Sequence, residues 1–454
     1  MRLAVVGNPA NRRVALFAEA VARAGLPAPE IHPWRDVLRH GRVPGPGVLV
    51  RIDSPGEDAE VDLLLRELGS GRPSRPAEHG EILGTAAAYA GLRQALSRIS
   101  GGGGALLSQA DDVLTMTDKP RCHALLAAAG IPVPAALGSI HDYASLRAAM
   151  REAGWGRVFV KPAYGSSASG VLALAVATRR ASSVTLHPQP LSPAAGRHVA
   201  ATAPDRQGAG PAGPADAGSA GAHGGQTTSG RRDAGPPADP GSASSAGSGR
   251  IAAPTPDPRD TGPAGTSGDG SARTASSGRV AATTSVELQG GRLFNSLRVR
   301  RYEDEASVAA IVDRLAPDGL HVERWFPKAG LGGRTLDLRV VVIAGRARHI
   351  VVRTSRSPMT NLHLGNARGD VASVRAAAGE QSWRSAMETC ERVAACFPRT
   401  LHVGVDLMFR AGWRDHAVAE VNAFGDLLPG VLADGSDTYG AQVAALIEGW
   451  VAHA

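Results

Sequence analysis

Lysine is almost missing from this chain. Lysine and arginine together number 49 among 454 residues, yet lysine stands at only three positions: Lys119, Lys161 and Lys328. A compact ammonium kept where arginine otherwise prevails marks a place that wants a point charge in preference to a planar guanidinium fork; three residues must also fall somewhere by chance. Cysteine is as sparse. Cys122, Cys390 and Cys396 form an odd set with no metal-type or redox-type spacing, which points to a reducing cytoplasm and to small core or helix-surface residues. No apolar run approaches the roughly 18–20 residues of a membrane span, and the apolar stretch before Gly7-Asn8-Pro9 is too short for a secretory signal. The formal net charge is +7, but the arginines are scattered, without a basic block or interleaved aromatics. That pattern argues against nucleic acid as a partner. The expectation is a cytoplasmic protein that binds neither nucleic acid nor membrane.

Aromatic residues make up 4% of the chain, and none falls between Tyr164 and Phe294. From about 181 to 282, Gly, Ala, Pro, Ser and Thr dominate; residues 201–282 carry seven Arg, seven Asp and no Lys or Glu. Such a segment cannot bury enough apolar surface to offset its ordering entropy, so 181–282 is expected to be a disordered insertion. Its flanks, "VLALAVAT" and "TTSVELQGGRLFNSLRVRRY", look like neighbouring strands of one sheet. Ahead of it, "LAVVG" (3–7) predicts a buried strand. A helix follows, with Val14, Phe17, Ala18, Val21 and Ala24 at helical spacing and Gly25 closing it. "GVLVRID" (47–53) predicts a strand and "AEVDLLLREL" (59–68) a helix ending at Gly69. This alternation gives a small open α/β domain over 1–110. In "TMTDKPRCHALLAAAGIPVP" (115–134), Thr117 or Asp118 caps a helix that Pro120 opens and Gly130 closes.

The polar residues that interrupt apolar strands come last. In "AVAEVNAF" (417–424), Glu420 and Asn422 share one face of an extended chain, opposite Ala419, Val421 and Ala423. In "HVGVDLMFR", Val403, Val405, Leu407 and Phe409 share a face and leave Asp406 on the other. If the loop centres on Trp413, Asp406 lies directly across from Glu420. Two carboxylates at cross-strand contact repel unless a cation separates them, and hard oxygen donors favour Mg²⁺ over zinc; the alternative is the solvent-facing side of a hairpin. Lys161 ends the apolar run "RVFVK" and precedes "PAYGSSASG", either a flexible turn or a loop whose N–H groups meet phosphate oxygens.

Taken in order, these motifs resemble the ATP-grasp superfamily over about 111–180 and 283–450. "TDKPRCHALLAAAGIPVP", "VFVKPAYGSSASGV", "HVERWFP", "LDLRVVVIAG" and "VGVDLMF…AVAEVNAF" are similar to its successive segments. The resemblance implies an α/β fold: a preceding α/β domain (1–110), then an ATP-grasp domain of two lobes (111–180 and 283–454) interrupted by the insertion (181–282). It implies ATP with Mg²⁺, Mn²⁺ being admissible, and assigns roles residue by residue. Lys119 and Lys161 would hold the α- and β-phosphates. Gly165, Ser166, Ser167 and Gly170 would close over them, and Glu323 would meet the adenine amino group. Asp406, Glu420 and Asn422 would ligate the metal, and Arg339 would face the γ-phosphate or an acyl-phosphate. Within the superfamily, "TLDLRVVVIAGRARHIVVRTS" and "TNLHLGNARGD" most resemble the ribosomal-protein glutamate ligase-like branch, which puts Arg353, Asn361 and His363 on the acceptor side. Lys328 has no counterpart and is expected to be a solvated loop lysine. Arg51, Asp53, Ser54, Glu57 and Asp58 cluster where the preceding domain of such enzymes meets substrate, although local turn chemistry explains them as well. The implied activity is a ligase joining a small-molecule or peptide carboxylate to an amine, with a homo-oligomer left open. The rivals are a kinase of the same superfamily and a nucleotide-binding regulatory protein without turnover.

Overall fold

The computed structural model describes residues 1–165, 169–177 and 279–452. Most of the expected insertion, together with Ser166 and Ser167, lies outside the described residues. The fold class is α/β. Three sheets carry it, the first parallel and the other two antiparallel.

The first sheet has the strand order Glu30–Pro33, Leu3–Gly7, Leu49–Ile52, Ala105–Leu106, with every neighbouring pair parallel. All five residues of Leu3–Gly7 are buried, as expected of a central parallel strand covered on both faces. Asn11 caps helix Arg12–Arg23 by accepting from the Arg13 N–H at 2.9 Å, and that helix buries Val14, Phe17, Ala20 and Val21. Helix Ala59–Ser70 runs past Gly69, where the sequence pattern predicts its end, and stops at Gly71 in a left-handed conformation. Gly69 is a packing residue: a Cβ there would lie 1.9 Å from the Ala87 carbonyl oxygen of helix Thr85–Gly101. Only glycine permits that approach.

The second sheet is five-stranded and antiparallel, ordered Arg292–Tyr302, Val280–Gln289, Leu172–Val176, Arg157–Pro162, Leu320–Arg324. The two strands flanking the insertion pair directly, with Val176 opposite Val280. Helices Tyr143–Glu152 and Glu305–Leu315 pack on this sheet and share its core through Leu146, Ile311 and Val312.

The third sheet is ordered Ala367–Gly369, Arg346–Ser355, Arg334–Ile343, His402–Phe409, His416–Asn422, with Gly330–Leu331 paired to Arg334–Ile343. Helix Glu380–Ala395 covers it through Trp383, Cys390 and Val393. Cys122 and Cys390 are buried, Cys396 is half-buried, and all three are free thiols; burial pushes the Cys122 thiol up to about 12. Among the described residues, no helix is long and apolar enough to cross a membrane.

Candidate functional site

A cavity of about 80 Å³ opens between the second and third sheets, and all three lysines line it. Asp118 caps helix Lys119–Ala128, accepting from the Arg121 N–H at 3.0 Å, which fixes Lys119 as the first helical residue. The Lys119 ammonium donates to the Gly165 carbonyl at 2.6 Å and lies 3.3 Å from Glu420. Lys161 donates to Glu323 at 2.7 Å and to the Ala419 carbonyl at 3.0 Å. The sequence expectation for Lys328 is overturned. Its side chain is 10% exposed, and it donates to Asp337 at 2.8 Å and to the Thr360 hydroxyl at 3.0 Å. The strand Arg334–Ile343 carries Asp337 to meet it, a pairing that loop composition alone does not reveal.

Glu323 is buried on strand Leu320–Arg324 and held from both sides. Lys161 takes one carboxylate oxygen and His321 Nε2 the other, at 3.0 Å. A carboxylate only accepts, so that imidazole nitrogen carries the proton. Burial opposes the Glu323 charge, but Lys161 and His321 outweigh it and bring its carboxyl to about 2.

Asp406 stands directly across from Glu420, the register expected of the hairpin. The next pair is Leu407 with Val418, so Ala419 is the extra residue of a bulge. A bulge reverses the alternation of faces beyond it. Val418 therefore turns into the core with Val421, while Ala419, expected on the core face, packs with Phe326, Met408 and Ala417 and lines the cavity. Gly404, on the Asp406 strand, lies against the loop that follows: a Cβ there would sit 2.7 Å from Gly425 Cα.

Two guanidinium groups hold Asp406. Arg339 grips it with two guanidinium nitrogens, one at 3.1 Å, and also donates to the Gly425 carbonyl at 3.3 Å. Arg353 reaches Asp406 at 3.1 Å and Asp337 at 2.7 Å. Burial works against both aspartates, yet the arginines hold the two carboxyls below the usual range, with Lys328 adding to the effect at Asp337. Among the described residues, no group of three or more His, Cys, Asp or Glu could hold a metal ion. The donors that remain are two facing carboxylates and the Asn422 carboxamide.

A second, larger cavity of about 720 Å³ is lined from helices Arg12–Arg23, Ala59–Ser70 and Thr85–Gly101 and from the third sheet. Arg339, Asn422, His363 and Gly165 line this one and not the first, whereas Asp406, Lys161 and Glu323 line the first and not this one. Arg353, Asn361 and Glu420 line both. Tyr164 stacks on Tyr89 of helix Thr85–Gly101 with ring centroids 4.2 Å apart. Gly170 has φ 75, and a Cβ there would meet the Pro162 ring at 2.5 Å.

The 51–58 cluster divides. Ser54 and Glu57 line the larger cavity, but Asp58 caps helix Ala59–Ser70 and pairs with Arg35 at 2.7 Å. Arg51 and Asp53 are buried away from the cavity. Arg51 bonds Asp426 at 2.6 Å, Asp53 at 3.2 Å and the Gln442 carboxamide, and it packs over the rings of Phe17 and Tyr439. His402 Nε2 lies 3.4 Å from the same Asp426.

No family model matches the chain, and no curated protein matches it. Among solved structures it is similar to the D-cycloserine synthetase DcsG, at 13% identity and a TM-score of 0.47 over 98% of this chain and 99% of that one. It is similar also to a RimK domain ATP-grasp protein from Sphaerobacter thermophilus DSM 20745, at 13% identity and 0.44 over 98% of each chain. A third is the macrocyclase MdnC bound with precursor peptide MdnA from Microcystis aeruginosa MRC, at 9% identity and 0.43 over 99% of this chain and 100% of that one. Similarity at this level carries no argument about the chemistry of this chain, which rests on its own residues.

Proposed function

We propose that the chain is an ATP-dependent ligase that joins a carboxylate to an amine through an acyl-phosphate. One observation carries the reading: Arg353, Asn361 and Glu420 line both the lysine-lined cavity and the larger mixed one. A polyanion and an organic substrate would meet at that seam.

In this reading Lys119 and Lys161 neutralise phosphate oxygens, and Gly165, Ser166, Ser167 and Gly170 lie over them. Glu323, ionised and pinned, accepts from the adenine amino group. Both lysines already face carboxylates, so an incoming polyphosphate exchanges one anionic partner for another. The carboxylate thereby released needs a cation, and the donor set fits a hard one. Asp406, Glu420 and Asn422 offer oxygen only, too few for an all-protein cage but suited to Mg²⁺ or Mn²⁺ completed by phosphate oxygens and water. Such an ion would neutralise charge on the polyphosphate. Arg339 and Arg353 keep Asp406 ionised and aimed for that role, and their planar forks suit carboxylate and phosphate oxygens.

The chemistry balances without covalent participation by the protein. A substrate carboxylate oxygen attacks the γ-phosphorus, the bond to the β–γ bridging oxygen breaks, and ADP leaves. The amine nitrogen then attacks the acyl carbon. The carbon–oxygen bond breaks, phosphate departs with the electron pair, and the nitrogen's proton passes to phosphate or solvent. Positioning and charge supply the rate. The first domain, 1–110, would wall the organic substrate, and segments 111–180 and 283–454 would hold the nucleotide.

The test is a panel of free amino acids, N-acyl amino acids and short peptides, incubated with ATP, Mg²⁺ and hydroxylamine in place of the amine. Hydroxamate formation that requires ATP, Mg²⁺ and one carboxylate class is the expected result. A phosphorylated product that resists hydroxylamine would mean transfer to a hydroxyl, and a chain that binds no nucleotide would be no ligase at all.

A further inference from the structure

Three arginines line the larger cavity: Arg13, Arg339 and Arg353. The latter two are bonded to carboxylates on the third sheet. Arg13 stands on helix Arg12–Arg23 and is held differently. Its side chain is 15% exposed, and its nearest carboxylate, Glu57, lies 3.6 Å away, beyond hydrogen-bond distance. Arg13 Nε is buried with no hydrogen-bond partner among the described residues. Nε itself is enclosed, so an anion in the cavity would be met by the terminal nitrogens, which make no hydrogen bond among the described residues.

The loop opposite is built to stay put. Asn8 donates to the Pro55 and Gly56 carbonyls, both at 3.1 Å, and Asn11 donates to the Glu57 carboxylate at 2.9 Å. Glu57 adopts φ 67, a left-handed conformation that a non-glycine residue holds only when its surroundings impose it. Asn11 thus holds Glu57 Oε2, while Glu57 Oε1 stands 3.6 Å from Arg13. The walls also carry a set of apolar side chains, Leu65, Tyr89, Leu92, Phe424, Leu427 and Leu428, beside the polar Asp62, Thr85 and Thr117.

We propose that the amine acceptor is an apolar amino acid or short apolar peptide whose free carboxylate is read by Arg13. Its side chains pack against the apolar part of these walls, and its amine points to the seam. The proposal rests on the ligase reading and names the substrate class for its second half-reaction. The volume, about 720 Å³, falls within the range that takes drug-sized ligands, roughly 300–1,000 Å³, which leaves room for an acyl donor beside a dipeptide.

The probes are leucyl-phenylalanine, its C-terminal amide, and glycylglycine, titrated calorimetrically into the full chain with and without Mg²⁺ and a non-hydrolysable ATP analogue. The acid should bind on the order of tenfold more tightly than the amide, as expected for loss of one charge-assisted contact, and more tightly than glycylglycine. Arg13→Gln should abolish the preference for the acid while leaving affinity for the amide unchanged; Arg13→Lys should restore part of it. Equal binding of acid and amide by the wild-type chain, or binding of neither, overturns the proposal without recourse to any variant. The analogue's own heat separates the two readings: analogue binding without preference for the acid removes only the Arg13 assignment, whereas absence of analogue binding removes the ligase reading.

Discussion

Lys328 and Asp337 are partners at 2.8 Å, and Asp337 gives its other oxygen to Arg353 at 2.7 Å. One buried carboxylate thus links a lysine of the smaller cavity to an arginine shared by both. Lys328→Met leaves Asp337 with a single counter-ion. Breaking a buried pair costs about 3–5 kcal/mol where one charge is stranded; with Arg353 still in place, a loss of about 2 kcal/mol is expected by denaturant titration. Affinity for Mg·ADP should fall at least about tenfold. Unchanged ADP affinity would limit Lys328 to serving as counter-ion for Asp337.

The facing carboxylates should respond differently to neutralisation. Asp406→Asn leaves Arg339 and Arg353 without the anion they share, so a loss of about 3 kcal/mol is expected despite the relief of repulsion toward Glu420. Glu420, with a side chain 21% exposed and Lys119 at 3.3 Å, should lose about 1 kcal/mol or less as Gln. Both variants should be impaired in Mg²⁺-dependent turnover, and a Glu420→Gln enzyme as active as wild type at low Mg²⁺ would remove Glu420 from the metal site.

His402 sets a pH dependence. Burial lowers its pKa from 6.5 to about 4, so the unfolded chain takes up a proton that the folded chain refuses. Stability is then retained above pH 6.5 and declines as the pH falls from 6.5 toward 4, by about 3 kcal/mol in order of magnitude. His402→Gln should flatten the stability profile in that window. An unchanged slope between pH 6.5 and 4 would assign the acid sensitivity to other groups.

Val176 pairs with Val280, and the Ala177 N–H donates to the Arg279 carbonyl at 2.8 Å. The ends of the intervening segment are therefore already at hairpin distance. Replacing residues 180–277 with a short Gly/Ser turn should leave the melting temperature within about 2 °C and ADP affinity unchanged, since the entropy of closing a connection grows only with the logarithm of its length. A large drop in either quantity would show that the segment contributes to the fold.

Much of this was legible because it depends on local pattern. The helix start at Lys119, with Asp118 as one of the two expected caps, follows from turn chemistry, and the shared hairpin of Asp406 and Glu420 follows from period-two alternation, although the bulge at Ala419 completes their register. What stayed hidden depends on distant partners. Gly69 reads as a helix stop until helix Thr85–Gly101 is laid against it. Lys328 reads as a loop lysine until Asp337 is placed beside it. The facing of Ala419 is decided by a bulge, and one extra residue in a strand leaves no mark in composition. Arg51 and Asp53 carry the charges of a binding site, but the other acceptors of Arg51, Asp426 and Gln442, lie almost four hundred residues downstream.

That last network has a genealogical consequence. Arg51 belongs to the first sheet, whereas Asp426 and Gln442 belong to the final stretch of the chain, and all three are buried. Burial opposes the Asp426 charge, and Arg51 keeps it ionised. A recombinant that grafted a foreign first sheet onto the remaining two would strand an anion unless an arginine arrived at the same place. The halves are therefore heirs to one another: Arg51, Asp426 and Gln442 must travel through any exchange of parts as a single inherited set.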